Sequence, residues 1–215
     1  HREKLAQGDD EKWIYNSCSG NLLYTYENLT EKDFRFFESM DIQGIYYKEG
    51  YPAFRYCHGS MTNSSELLIP ENPSMEMIME KLDVGLLVSG HTHIQEKKIY
   101  GGKTLIHPGA VGMSWYHEGK AQYMMLHGTE NGWQEEFFQL SYDIEKVEEE
   151  FKKSGLLEKA SYWAKSAIHT MKTGDDLSVP CMQLAKQMCV EERKNVSWPD
   201  IPEEYWKKAA EHFGI

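Results

Sequence analysis

The chain has 215 residues, enough to bury a core of its own, and its 40% hydrophobic and 27% charged residues are the proportions of a globular rather than a disordered protein. A formal charge of -11 argues against a sequence-independent grip on nucleic-acid phosphates, which needs Lys and Arg to release counterions. It leaves an anionic substrate open, because a metal ion can supply positive charge locally.

The first residues, HREKLAQGDDEKW, lack the apolar core of a signal peptide, and their start at His1 rather than Met predicts a piece of a longer chain. Between Ser19 and Met40 the pattern is helical. Leu22, Leu23, Tyr26 and Leu29 share one face; Thr30 with Asp33 three residues on predicts a capping box that opens a second helix, with Phe34 and Phe37 on its buried side. Ile42–Tyr47 and Tyr51–Tyr56 read as strands parted by the turn Lys48-Glu49-Gly50, and the second delivers Cys57-His58-Gly59-Ser60. Residues 60–74 are loop by composition, Ser74–Leu82 is a helix with Met75, Ile78, Met79 and Leu82 at helical spacing, and Val84–Val88 is an apolar strand.

Beyond Glu96 the pattern changes to hairpins. Lys98–Tyr100 and Lys103–Ile106 flank Gly101-Gly102, a pair suited to the primed turns of short hairpins, and Ala121–Leu126 and Trp133–Leu140 alternate as strands across Gly128–Gly132. A helix before Val84 and hairpins after it predict a mixed sheet. From Asp143 the chain is helical: a charged helix to Lys153, an aromatic-bearing one over Leu157–Lys172, a third over Val179–Glu192, and a short last helix opened at Pro202. The acidic run 145–150 is a solvated face, and the aromatic residues of these helices are explained by packing, with a wall for a nucleobase as the alternative.

No apolar run approaches the ~20 residues of a membrane span. Cys18, Cys57, Cys181 and Cys189 show neither C-x-x-C spacing nor a disulfide framework, so the reading is a reduced, cytoplasmic protein. Cys57 is read as a small buried residue rather than a reactive thiol, for no neighbouring basic group lowers its pKa.

The chemistry gathers at strand ends. The run Val84–Val88 stops at Ser89-Gly90 and then presents His91 and His93 around Thr92. If the extended path persists, both imidazoles project to one side while Thr92 turns away, an arrangement that suits zinc, manganese or iron. A chance pairing with one surface histidine is the competing reading of an H-x-H taken alone. His58 stands at another strand end, and glycine beside each of these histidines lets a backbone approach a ligand closely.

In this order the motifs, His58-Gly59, then GHTH at 90–93, a hairpin, and HPGAVG at 107–112, resemble the calcineurin-like metallophosphoesterase superfamily, and within it the small bacterial branch, whose last motif usually reads NPGSVG. The resemblance covers about Asp9–Asp143. It implies an α/β fold, a four-layer αββα sandwich whose N-terminal part is missing from this chain, with residues 1–142 the C-terminal portion of that domain and 143–215 a helical cap or extension. It also implies two divalent metal ions, drawn from Mn, Fe, Zn or Mg, with His58 and His91 as ligands of one and His93 of the other. Two such ions clamp a phosphate oxygen and acidify a water for in-line displacement.

The family's D-x-H strand end, its bridging GD carboxylate and its GN[HD] loop do not appear. Gly8-Asp9 lies too near the start to be the bridging carboxylate, and His1 is either the histidine of the GN[HD] loop or a tag remnant. Imidazoles alone are a poor home for two hard cations, which want a bridging anion. His107, where relatives usually carry asparagine, is read as a loop brace rather than a ligand; His117, His127, His169 and His212 are read as surface or structural residues. The implied activity is a phosphoesterase acting on a small phosphorylated substrate, a nucleotide among the candidates, without a membrane partner. The alternatives are an inactive scaffold that binds without catalysis, and one structural zinc held by the three histidines.

Overall fold

Leu86 and Leu87, from the apolar run at 84–88, lie at the centre of a five-stranded sheet in the computed structural model, which describes residues 13–193, 196 and 198–215. His1 and Gly8-Asp9 fall outside the described residues. In chain order the strands are β1 (Gln43–Tyr46), β2 (Phe54–Cys57), β3 (Leu86–Ser89), β4 (Gln95–Tyr100), β5 (Lys103–Pro108), β6 (Ala121–Thr129) and β7 (Gly132–Leu140). The helices are α1 (Gly20–Asn28), α2 (Glu31–Glu38), α3 (Met75–Lys81), α4 (Ile144–Lys153), α5 (Leu156–Lys159), α6 (Ser161–Thr173), α7 (Ser178–Arg193) and α8 (Glu203–Phe213). The fold class is α/β. Contacts divide it into two units, one of Phe37–Tyr142 and one in which the described residues through Phe36 join Asp143–Ile215.

In the first of these units the strand order is β1-β2-β3-β5-β4, with β2, β3 and β5 parallel and both outer pairs antiparallel, the mixed sheet expected. Strand β2 begins three residues later than its pattern predicts, because Pro52 has no N–H to donate to a ladder. On one face Leu87 and Leu105, paired across β3 and β5, pack with Leu68, Met75, Met79 and Leu82, all nearly inaccessible. Each such side chain contributes roughly 1.5–3 kcal/mol of burial. The spacing of Met75 and Met79 on α3 is what lets one short helix cover this face. On the other face lies the ribbon β6-β7, held where Trp133 packs edge-on to Phe54 and Tyr46 and where Glu135 pairs with Lys97 at 2.8 Å. The β4-β5 hairpin turns at Gly101 and Gly102, both at positive φ as a primed turn requires. The β6-β7 turn is tighter than expected: Thr129 and Gly132 pair, so only two residues loop.

The strand register sets where the histidine-bearing segments emerge. Cys57 of β2 pairs with Ser89 of β3, and β5 runs parallel beside them, so the segments after Cys57, Ser89 and Pro108 all leave the sheet at one carboxyl edge. Ligands of open α/β sheets bind at such edges.

The helical unit has its own core, in which Cys18, Cys181, Cys189, Ile201, Tyr205 and Trp206 are buried together. The Cys18 thiol, pushed up by burial, receives the Trp206 indole N–H at 3.0 Å. Ser17 donates its N–H and hydroxyl to the Glu203 carboxylate at 2.9 and 2.7 Å, which anchors the first turn of α8. The capping box at Thr30 and Asp33 forms as expected: Thr30 N–H donates to Asp33 Oδ2 at 2.8 Å, and Asp33 N–H to Thr30 Oγ1 at 3.4 Å. The apolar side assigned to α2 does not. Phe34 is half-buried against Tyr26, but Phe37 is 51% exposed and no residue of this eight-residue helix is buried. The single helix expected over Leu157–Lys172 is broken at Ala160, whose φ of -139° is not helical, and Gly20 comes close to the backbone at this break.

Candidate metal centre

His58 and His91 come together at the carboxyl edge. Their rings lie 5.1 Å apart, inclined at 60°. The approach depends on Gly90, where an added Cβ would sit 3.1 Å from His58 Nδ1 and 3.4 Å from its carbonyl oxygen. The edge itself is fixed below the rings. Gly90 N–H donates to Cys57 O at 3.2 Å, and the buried Ser89 hydroxyl donates to Gly59 O at 2.7 Å.

The extended path beyond Gly90 does not persist. His91 and His93 have φ of 74° and 58°, and Thr92 N–H donates to Gly90 O at 3.0 Å, closing a γ-turn of the rare, strained hand around His91. The outcome anticipated for Thr92 arises all the same, by a different geometry: Thr92 is buried while both histidines are half-buried. Two non-glycine residues at positive φ within three positions cost of order 1 kcal/mol or more each, and such strain clusters at ligand sites.

His93 Nδ1 lies 2.9 Å from Met113 O, an atom that only accepts, so Nδ1 is the donor in this contact and Nε2 is the nitrogen that could ligate. A backbone carbonyl behind one ring nitrogen is the usual support of a metal-ligating histidine. Trp115 flanks the ring at 6.3 Å between centroids and ties its backbone to His93 O at 3.0 Å. Burial pushes the His91 imidazole below its ordinary 6.5, the neighbouring charges of His58 and His93 push the same way, and a hydrogen bond to the Ser65 backbone partly opposes them. The neutral form, the one that ligates, therefore persists to lower pH than in a free histidine. A cavity of about 360 Å³ adjoins Thr92, with Ile94, Trp115 and Tyr116 among its walls and Glu71, Glu96 and Lys98 also lining it.

The donor set is nitrogen-based and incomplete. Among the described residues no group of three or more His, Cys, Asp or Glu side chains is arranged to hold an ion. The pair His58 and His91, with His93 nearby, has the chemistry for one divalent cation, and no described carboxylate stands ready to bridge two. His107 is not a ligand: it is buried with both ring nitrogens against carbonyl oxygens. His127 pairs with Glu136 at 3.0 Å on the exposed side of the ribbon. Cys57 is half-buried, its thiol pushed up by burial and donating to Gly59 O at 3.1 Å. Sequence reasoning missed the segment 113–118. Its contribution is a backbone carbonyl and an aromatic ring, placed by positive φ at Met113 and Tyr116, and neither leaves a motif.

Gly90→Ala tests the close approach. We expect His58 to be displaced by a few tenths of an ångström and divalent-cation affinity to fall roughly tenfold, the size seen when a ligand's support is disturbed. An unchanged affinity by titration calorimetry would reduce Gly90 to a packing residue.

Comparison of the chain with protein-family models and with curated proteins gives no match. Among solved structures it is similar to hypothetical protein PH1004 from Pyrococcus horikoshii OT3, with a TM-score of 0.57 and 20% identity over 71% of this chain and 58% of that one. It is similar also to a metallophosphoesterase from Sphaerobacter thermophilus, with a TM-score of 0.57 and 19% identity over 71% of this chain and 67% of that one. The chain thus spans less than two thirds of the Pyrococcus protein. At these identities the likeness establishes the fold, an α/β arrangement shared with a metallophosphoesterase.

Proposed function

We propose that the chain belongs to a metal-dependent phosphoesterase of the calcineurin-like superfamily, with His58, His91 and His93 among the ligands of its divalent-metal centre. The observation that carries the reading is the pairing of His58 and His91 at 5.1 Å on a sheet edge, in a fold shared with a metallophosphoesterase. A divalent cation held there would offset charge on phosphoryl oxygens and lower the pKa of a bound water. The chain's own part is to hold imidazoles in place: Gly90 admits His58, the strained turn aims His91, and Met113 O engages Nδ1 of His93. The substrate is a small phosphate ester or nucleotide-type anhydride. In this reading the sheet unit, residues 37–142, carries the phosphoesterase site, and the protein works in the cytoplasm. Among the described residues no helix is long and apolar enough to cross a membrane.

The incomplete donor set favours a second reading, an inactive scaffold that keeps the fold and binds without turnover. The two part on one experiment. An enzyme carries manganese, iron or zinc when isolated intact, cleaves bis(p-nitrophenyl) phosphate, loses that turnover in chelator and regains it with added Mn²⁺. A protein that melts cooperatively yet neither binds these metals nor cleaves the ester is the scaffold.

A further inference from the structure

The His107 ring meets a backbone carbonyl oxygen at each nitrogen: Ser89 O lies 2.8 Å from Nδ1 and Leu68 O 2.9 Å from Nε2. The side chain is 1% exposed, so water cannot intervene. A carbonyl oxygen only accepts, and a neutral imidazole has a single N–H. In a neutral ring one nitrogen would therefore press its lone pair against an oxygen lone pair, which is a buried acceptor facing a buried acceptor. Only the doubly protonated ring satisfies both contacts.

A second observation concerns the strand beside it. Glu96 stands directly opposite His107 in the β4-β5 pair, on the same face of the sheet, with Cβ atoms about 4.5–5.5 Å apart as in any such pair. Its Oε2 receives Lys98 at 2.7 Å, while its Oε1 is buried without a hydrogen-bond partner. A carboxylate oxygen in that condition is tolerable when a positive charge lies close. From β3 the same face presents Leu87 and Ser89, both uncharged, and the loop presents Leu68.

We propose that His107 is held as an imidazolium, a buried two-armed tie, and that its Nδ1 arm makes it a positioning residue for the turn that carries His91 and His93. That arm grips the carbonyl of Ser89, the last residue of β3, one residue before Gly90. The other arm fastens the loop at Leu68, so one cation joins the strand end to the loop over it. The positioning role rests on the reading of the imidazoles as cation ligands; the protonation state does not.

The test begins with ¹⁵N-histidine NMR of the intact protein at pH 7. Both His107 nitrogens are expected in the protonated shift range, and a single bare nitrogen overturns the imidazolium. Two variants then separate the arms. The amide nitrogen of His107→Asn falls near the place of Nδ1 and keeps a donor for Ser89 O; that of His107→Gln reaches the place of Nε2 and keeps a donor for Leu68 O. Each loses one arm, so both melt at lower temperature. The asparagine variant is expected to leave the His91 and His93 ring resonances unmoved and Mn²⁺ affinity within about threefold, whereas the glutamine variant shifts those resonances and weakens Mn²⁺ binding by about tenfold or more. Equal effects in the two variants would overturn the positioning role. Should the unmodified protein bind no Mn²⁺, the cation reading fails, and the resonance comparison still decides whether the Ser89 arm holds the turn.

Discussion

His91→Ala in the intact protein is expected to lower turnover of a chromogenic phosphodiester by at least about a hundredfold and to strip one divalent ion from the isolated protein, a larger loss than disturbing a ligand's support produces. The side chain sits half-buried at the sheet edge and contributes little to the core, so stability should move by no more than about 0.5 kcal/mol, as for a surface substitution. The separation of the two effects is what identifies a ligand. A variant that keeps both its metal and its turnover removes His91 from the site, and with it the pairing on which the phosphoesterase reading stands. Calorimetric titration of Mn²⁺ alongside the assay distinguishes a lost ion from a misplaced one.

Gly20→Ala is expected to cost about 3 kcal/mol or more, the upper range of overpacking, because the new Cβ would lie 2.0 Å from the Lys159 carbonyl oxygen and 2.8 Å from its carbon. These are backbone atoms at the break between α5 and α6 and cannot swing aside as a side-chain tip can. For a chain of this size such a loss lowers the thermal midpoint by roughly 6–12 °C. Gly85→Ala is the control, since its added Cβ meets nothing within 4 Å. If the two variants melt alike, the backbones of α1 and α5 are not in such close approach.

The elements were legible in the sequence where local chemistry decides them. Thr30 and Asp33 announce their cap, Gly101-Gly102 their turn, and Met75 and Met79 their buried helix face, since each depends on neighbours within four residues. His58 and His91 could be nominated because both follow apolar strands, and their encounter required only that those strands be parallel neighbours. What the sequence hides is set by distant backbone. The fate of Phe37 depends on what the rest of the chain brings near α2, and the break at Ala160 on the passage of Gly20. The path through His91 bends because a γ-turn closes from Thr92 to Gly90, which strand periodicity past Gly90 does not anticipate. The two carbonyls at His107 belong to residues 18 and 39 positions away.

The helical unit joins segments that precede and follow the sheet unit in sequence, and this orders its birth on the ribosome. Residues through α1 emerge before the sheet unit, whereas Ile201 and Trp206, which cover Cys18, are made after it, Trp206 188 residues later than Cys18. At ordinary elongation rates that delay is on the order of ten seconds. Through that interval the early helices wait with apolar surface uncovered, while the sheet unit can already close upon itself.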